Sequence, residues 1–316
     1  MLLIFLGFIV TLSGGFLYIR LAYPKVSPAP EIRIEPTAER LARGEYLFHH
    51  VAMCADCHSD RDFSRFSAPV IEGTIGKGGH QMEGAPGEIY ASNITPAAIG
   101  DWTDGEILRA ITTGVSKDGR YLAPMMPYLE YRHLSQEDAV ALVAYTRTLK
   151  PVENDVKESS FNFPLNLIFR TIPTDYESAP HPDTANTLAT GEYLANIAGC
   201  KFCHSPVDKG IPVAGSEFSG GHEFVFPQMG VLRAANLTPD KETGIGNWSK
   251  ETFIARFKVY ADSMGQHIPV TPDGCQSTMP WTLLAGMTGK DLGAIYDYLL
   301  TIEPVRNKVE KFTPDE

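Results

Sequence analysis

The sequence predicts an all-α fold: two tandem copies of one small helical module with long loops, preceded by one N-terminal transmembrane helix. Three observations predict it. A set of short motifs occurs twice, in the same order, within the 316 residues. In each copy, helix-capping signals precede apolar stretches with the i, i+3, i+4 spacing of helices. The chain also begins with an apolar run that contains no charged side chain before Arg20.

The apolar N-terminus predicts a membrane anchor. Residues 1–18 would form a helix of roughly 27 Å, close to the hydrocarbon thickness of a bilayer. The run lacks the basic start and the cleavage site of a secretory signal. We therefore expect a retained signal-anchor at residues 1–20, although its nearest base, Arg20, follows the helix rather than preceding it. A Pro-rich tether at 21–37 would follow, with the remaining chain held at the inner membrane and facing the periplasm.

The repeated motifs define the domains. We expect a first domain at 38–152, an inter-domain linker at 153–186, a second domain at 187–306 and a C-terminal tail at 307–316. The repeated pairs are Gly44-Glu45-Tyr46-Leu47 with Gly191-Glu192-Tyr193-Leu194, Gly78-Gly79-His80 with Gly220-Gly221-His222, Asn93-Ile94-Thr95-Pro96 with Asn236-Leu237-Thr238-Pro239, Trp102 with Trp248, Met126-Pro127-Tyr128 with Met279-Pro280-Trp281, and Pro151-Val152 with Pro304-Val305.

Capping signals place helices within each copy. The first copy predicts helices at 38–50 and 106–113, the latter started by a capping box at Thr103. Closing helices are predicted behind Ser135 and Thr288, each with an Asp three residues later. Long Gly- and Pro-rich loops at about 69–100 and 206–246 would wrap a large cofactor. The apolar stretch 161–169 of the linker is expected to pack between the domains.

Two pentapeptides carry the chemistry: Cys54-Ala55-Asp56-Cys57-His58 and Cys200-Lys201-Phe202-Cys203-His204. Cys-x-x-Cys-His is the attachment motif of c-type haem, in which two thiols bind the vinyl groups and the His ligates the iron. A zinc site would need four ligands and gives no reason for the adjacent His, and a redox dithiol lacks its usual strand–helix context. The sequence therefore predicts two covalently bound haem c groups. The attachment residues are Cys54, Cys57, Cys200 and Cys203, and the iron ligands on one side are His58 and His204.

The composition limits the other functions. A net charge of −11 argues against nucleic acid as a partner and suits a redox partner that presents a basic docking patch. Of the five cysteines, four belong to the two motifs, so only Cys275 is left over and no disulfide framework is available.

These residues give the chain a resemblance to membrane-anchored dihaem cytochromes c with two class I-type domains in tandem. It is similar to the cytochrome c subunits of periplasmic dehydrogenases, over about residues 39 to 305. The resemblance rests on both haem motifs, the Asn-x-Thr-Pro segments, the Met-Pro-aromatic tripeptides and the closing helices. It implies an electron carrier of a respiratory chain rather than an enzyme, with a dehydrogenase or respiratory complex as partner.

A methionine opposite each His would complete an electron-carrier haem and raise its potential. Met126 and Met279 occupy the position of the family's distal ligand, and each is followed by Pro. Core packing is the commoner use of a lone Met. Met125 adjoins Met126 and is the alternative ligand, but it lacks the repeated context.

Other side chains compete for roles near the haems. His80 and His222 also recur, but their loops come early and are expected to pack near the haem edge. Cys275 as a thiolate ligand would resemble thiosulfate dehydrogenases. Hydrogen bonds to haem propionates are open to Asp101, Trp102, Asn247 and Trp248, although both Trp rings could equally fill space.

The leading hypothesis is a one-electron relay between a respiratory or dehydrogenase donor and an acceptor. One alternative is a dihaem enzyme of the peroxidase or thiosulfate dehydrogenase type, which requires an exchangeable distal site. The other is an electron-transfer subunit fixed within a larger respiratory complex.

Overall fold

The computed structural model describes residues 2–82, 87–208, 211–226, 230–270 and 276–315, without the side chains of 2–4, 8–10, 12, 211 and 212. The helices of the first half are α1 (Leu2–Ala22), α2 (Ala38–Tyr46), α3 (Cys54–His58), α4 (Pro96–Ile99), α5 (Asp104–Thr113), α6 (Tyr128–Tyr131), α7 (Gln136–Thr146) and α8 (Leu165–Ile168). Those of the second half are α9 (Thr187–Ile197), α10 (Cys200–His204), α11 (Lys250–Lys258), α12 (Trp281–Leu284) and α13 (Gly289–Leu299).

The fold is not purely α-helical, which corrects the predicted all-α class. The strands are β1 (Gly87–Glu88), β2 (Ser160–Phe161), β3 (Val207–Asp208), β4 (Ile211–Pro212), β5 (Glu223–Phe226), β6 (Gly230–Arg233) and β7 (Phe312–Pro314). They form the antiparallel pairs β1–β2 and β3–β4 and the antiparallel sheet β5–β6–β7. The Gly- and Pro-rich loops supply most of these strands. The expected tail supplies β7, whose backbone pairs with β6 instead of with water.

The predicted transmembrane helix is also wrong. The stretch does form a helix, α1, but Ser13, Gly14 and Gly15 interrupt its apolar run. Within the part of the chain that the structure describes, no helix combines the length and the apolar character needed to cross a membrane. The inner-membrane location and the anchoring of haem domains on its periplasmic side, which were inferred from that helix, are overturned with it.

The segment predicted as a tether lies against the first repeat. Its Ile34 amide donates to an Asp104 Oδ at 2.8 Å, at the start of α5. Gly105 lies so close to the Pro30 carbonyl that a Cβ at this position would collide with it. Residues 30–34 of this segment therefore pack against the start of α5.

Each repeat is built on one pair of crossing helices. Helix α2 crosses α7 in the first repeat (residues 38–152), and α9 crosses α13 in the second (187–306). At each crossing a glycine of the Gly-Glu-Tyr-Leu motif faces a helix backbone, Gly44 against Ala141 and Gly191 against Ala294, with no room for a Cβ. Close packing of the two helices therefore requires glycine at the first position of this motif.

The capping signals are confirmed. Thr103 forms a reciprocal capping box with Glu106 at the start of α5. The side chain of Ser135 caps α7, and that of Thr288 caps α13 in the same way. The predicted helix at 38–50 starts where expected, and its last turn is a π-helical segment, Leu47–Val51.

The apolar linker stretch has a different partner from the expected one. Phe161 in β2 pairs with β1 of the first repeat and stacks on Tyr121. The turn α8 contacts α1, and the Arg170 guanidinium donates to the Tyr23 carbonyl at 2.8 Å. The stretch thus packs on the first repeat and on the N-terminal segment.

Candidate haem sites

Both Cys-x-x-Cys-His motifs form single helical turns, α3 and α10. The residue before each turn has a left-handed backbone, with φ of 50° at Met53 and 68° at Gly199, which turns the chain sharply into the motif. Helical spacing then places residues three and four apart on one side. Both Cys side chains and the His of each motif line one large cavity.

That cavity is shared by the two repeats. Its volume is about 1250 Å³, above the range of about 300–1,000 Å³ for pockets that hold one drug-sized ligand. Its walls are mainly apolar and include Ile107 of the first repeat and Ile295 of the second. Space of this kind suits more than one large, flat, apolar group.

The two histidines are oriented identically. In the first repeat the Nδ1–H of His58 donates to the Ser92 carbonyl at 2.7 Å, and in the second that of His204 donates to the Ala235 carbonyl at 2.8 Å. Burial lowers the pKa of both imidazoles, which favours the neutral form. With the proton on Nδ1, each Nε2 keeps the lone pair that a metal ligand needs.

The repeated Asn-x-Thr-Pro and Pro-Val motifs hold the backbone beside these carbonyls. Asn93 directly follows Ser92, and its side chain donates to the Val152 carbonyl at 2.9 Å and accepts from the Thr95 amide at 2.9 Å. The Thr95 hydroxyl in turn accepts from the Val152 amide at 3.2 Å.

The second repeat reproduces this network. Asn236 donates to the Val305 carbonyl at 2.8 Å and accepts from the Thr238 amide at 2.9 Å. Because Asn236 directly follows Ala235, the network fixes the carbonyl that orients His204.

The Gly-Gly-His motifs form hydrogen bonds with the backbone of the same two histidines. The Gly78 amide donates to the His58 carbonyl at 2.9 Å, and the Gly220 amide donates to the His204 carbonyl at 2.7 Å. Both glycines have φ near +70°, at 67° and 78°, and a Cβ on either would collide with the adjacent loop backbone. These positions therefore require glycine.

The four motif cysteines are free and partly buried. Burial raises the pKa of Cys54, Cys57 and Cys200 to about 12 and that of Cys203 to about 11. The carboxylate of Asp56 also raises the pKa of Cys203, and both residues line the cavity. None of these thiols is in a disulfide.

The donor set fits haem better than zinc. Among the described residues, no group of three or more His, Cys, Asp or Glu side chains is arranged to hold a metal ion by itself. Each motif instead presents two thiols and one neutral imidazole to an apolar cavity, which is what a thioether-bound, His-ligated haem requires.

The predicted distal methionines line the cavity too. Met126 and Met279 have the same backbone arrangement: each carbonyl accepts from the amide two residues later, Tyr128 and Trp281, at 2.8 Å. Met125 also lines the cavity. The shared geometry favours Met126 as the equivalent of Met279.

The remaining candidates differ in whether they line the cavity. Trp102 and Trp248 line the cavity, whereas Asp101 pairs with Lys117 and Asn247 donates to the Lys241 carbonyl. His80 stacks on Phe63 and His222 lies between Phe202 and Phe224, outside the cavity lining. Cys275 lies outside the described residues.

Several cavity features were missed by the sequence analysis. Asp56, inside the first motif, forms a 2.8 Å ion pair with Arg61. Arg256 lies over the Trp281 ring, 4.6 Å from its centroid, and lines the cavity. No repeated motif marks these residues, and only the position of Asp56 within a haem motif gave any signal.

Known proteins agree with this geometry, although no protein-family model matches the sequence. The chain is 29% identical over 279 residues to the cytochrome c subunit of a quinone alcohol dehydrogenase from Gluconacetobacter polyoxogenes, covering 83% of this chain and 56% of that protein. It is 29% identical over 289 residues to the gluconate 2-dehydrogenase cytochrome c subunit of Pantoea cypripedii, covering 87% of this chain and 62% of that protein.

A third relative is a diheme cytochrome c-type protein of Cereibacter sphaeroides, 28% identical over 209 residues, with 63% of this chain and 68% of that protein covered. The chain spans little more than half the length of the two dehydrogenase subunits. Motifs, cavity and relatives agree: the chain is similar to dihaem cytochromes c and to the cytochrome c subunits of dehydrogenases.

Proposed function

We propose that this protein is a dihaem c-type cytochrome that relays single electrons from a dehydrogenase to an acceptor. The observation that carries the proposal is the duplicated site: two Cys-x-x-Cys-His turns, two identically oriented imidazoles and two equivalent methionines line one cavity. Bound haem would supply a reversible one-electron change at its iron.

The chain's own residues would bind and tune the two groups. Cys54 and Cys57 would attach the first haem, and Cys200 and Cys203 the second. His58 and His204 would ligate the two irons from one side, each held by a backbone carbonyl. Met126 and Met279 would ligate them from the other side, and the apolar walls would exclude water, a combination that favours a high potential.

The shared cavity supports transfer between the two groups within one chain. Asp56 and Cys203, which belong to different motifs, both line it. The residues that would hold the two haems therefore face one apolar space, so an electron would pass from one repeat to the other within the chain.

A dehydrogenase is the proposed donor, because similar chains are cytochrome c subunits of alcohol and gluconate dehydrogenases. The net charge of −11 would guide a partner with a basic docking patch. Such a partner co-purifies at low ionic strength and dissociates as salt screens the charges.

Redox titration with optical spectra tests the relay. The wild type should show two low-spin haems, and Met126→Ala and Met279→Ala should each lower one midpoint potential and change the spin state of one haem. Met264→Ala is the control, because Met264 is 79% exposed and does not line the cavity. Unchanged spectra in both ligand variants would contradict the methionine assignments, and an exchangeable high-spin haem in the wild type would favour an enzyme.

A further inference from the structure

The loop that follows the first haem motif reaches Met279 of the second repeat. Its residues 60–70 leave α3 and run against the segment before Met279. The Phe66 amide donates to the Ile268 carbonyl at 2.8 Å, and the Val270 amide donates to the Ser64 carbonyl at 2.9 Å. The first repeat thus contributes backbone pairing to the loop that carries the second repeat's methionine.

Ser67 makes the contact with Met279. Its hydroxyl donates to the Met279 carbonyl at 2.9 Å, and its amide donates to the Oε1 of Gln276 at 2.7 Å. Ser67 is fully buried and Gln276 is only 4% exposed. These hydrogen bonds join residues more than two hundred positions apart in the sequence, in an environment from which water is excluded.

Gln276 forms further hydrogen bonds to the same loop of the first repeat. Its amide nitrogen donates to the carbonyls of Phe63 at 3.1 Å and Arg65 at 2.9 Å, and its Oε1 also accepts from the Ser277 amide at 2.9 Å. One side chain therefore binds both the loop of the first repeat and the backbone two residues before Met279.

The loop is held in a strained conformation at the contact. Ser67 has φ of 63° and Ala68 of 40°, a region that residues other than glycine rarely adopt. The Arg61 guanidinium donates to the carbonyls of both residues at 2.7 Å and pairs with Asp56 at 2.8 Å. Strain of this kind persists where surrounding contacts enforce it, and here those contacts start inside the first haem motif.

The first repeat also supports the aromatic residue that follows Met279. Phe66 stacks on Tyr260, with ring centroids 5.6 Å apart, and Tyr260 contacts Trp281 at 5.4 Å. For Met126, the described part of the chain shows only the local hydrogen bond, in which its carbonyl accepts from the Tyr128 amide.

We propose that Ser67 and Gln276 are positioning residues for the second haem, through which the first haem motif holds Met279 in place. This inference rests on the proposed function and deepens it. The connection runs from Asp56 through Arg61 to Ser67 and then to Met279. The two sites are thereby coupled, because a displacement of the first motif reaches the distal ligand of the second.

The test compares Ser67→Ala and Gln276→Ala with Thr112→Val. Thr112 is also buried, but its hydroxyl bonds only within α5 to the Leu108 carbonyl. The first readout is amide hydrogen exchange at residues 277–281. Exchange should accelerate about two- to ten-fold in Ser67→Ala, which loses one such hydrogen bond, and by more in Gln276→Ala, which loses four, and it should stay unchanged in the control.

The second readout is the midpoint potential of each haem in the holoprotein, assigned by Met126→Ala and Met279→Ala. The potential that responds to Met279→Ala should fall in both test variants, because a loosened thioether stabilises ferrous iron less. The other potential should stay constant. Equal shifts of both potentials, faster exchange with neither potential changed, or no change in either readout would overturn the inference.

Failure of the proposed function is detected separately, by intact mass spectrometry. A chain that binds no haem covalently would have the mass of the polypeptide alone. The exchange comparison would still report whether Ser67 and Gln276 hold the Met279 loop.

Discussion

Tyr193 donates a hydrogen bond from its hydroxyl to the carboxylate of Asp138, 2.8 Å away, and so joins the second repeat to the first. The same hydroxyl accepts from the Ser135 amide at 3.1 Å, at the start of α7. The relationship is reciprocal: Tyr46 donates to Asp291 at 2.5 Å and accepts from the Thr288 amide at 3.1 Å, at the start of α13. The Tyr of each Gly-Glu-Tyr-Leu motif thus binds the first turn of the other repeat's closing helix.

Removing the Tyr193 hydroxyl should destabilise the protein. Asp138 is fully buried and paired with Arg43, so Tyr193→Phe takes one hydrogen bond from a buried charged group. We expect the free energy of unfolding to fall by about 2 kcal/mol. Chemical denaturation measures it. Tyr176→Phe is the control, because Tyr176 donates to a neutral carbonyl and should cost about 1 kcal/mol. Equal losses in the two variants would contradict the special role of the Tyr193–Asp138 pair.

Asn236 should be needed for the second haem site. Asn236→Ala leaves the Thr238 amide without its acceptor and the Val305 carbonyl with only the hydrogen bond from the Thr238 hydroxyl, and it frees the backbone next to Ala235. We expect a loss of about 2–3 kcal/mol in the free energy of unfolding and a lower haem content at Cys200 and Cys203. Peptide mass spectrometry after proteolysis measures haem at each motif.

The control for that variant is Asn247→Ala. Asn247 is exposed and makes one hydrogen bond, to the Lys241 carbonyl. Its removal should leave stability and haem content unchanged. A similar loss in both variants would show that the Asn236 network is not what fixes the His204 carbonyl.

Stability should decrease as the pH falls below neutrality, in part through His50. Burial lowers its pKa, with a further lowering by Lys258, while the hydrogen bond to the Leu283 carbonyl and nearby Glu45 oppose this. Above the ordinary pKa of about 6.5, His50 is neutral in both states and contributes nothing to the pH dependence. Below it, the unfolded chain binds a proton that the folded chain does not, so the free energy of unfolding falls until the lower folded pKa is passed.

Denaturation of wild type and His50→Gln at about pH 7.5 and about pH 5.5 measures this contribution. The variant should lose less stability over that interval. His133→Gln is the control, because His133 is exposed, and it should follow the wild type. A His50→Gln slope equal to that of the wild type would contradict the assignment.

The local structure was largely predictable from the sequence, because it depends on residues a few positions apart. Thr103, Ser135 and Thr288 start their helices as their capping signals predict. The Cys-x-x-Cys-His and Met-Pro-aromatic motifs also indicated residues that line the cavity, but not that the two repeats share it. The roles of the repeated residues were less predictable: Gly44 and Tyr46 were recognised as repeated, but their contacts lie on other helices.

The errors have physical causes. The strands depend on pairing between distant segments, as when β7 near the C-terminus completes the sheet with β6. The contact between Ser67 and Met279 joins the two repeats and carries no repeated signature. Hydropathy alone predicted a membrane helix from residues 1–18, and the structure contradicts it.

Intact mass spectrometry of the denatured protein measures directly whether each motif binds one haem covalently. We expect the polypeptide mass plus two haem groups for the wild type. We expect one haem for Cys54→Ala/Cys57→Ala, retained at Cys200 and Cys203. A protein that weighs no more than its amino acids, or a double variant that still carries two haems, would contradict it.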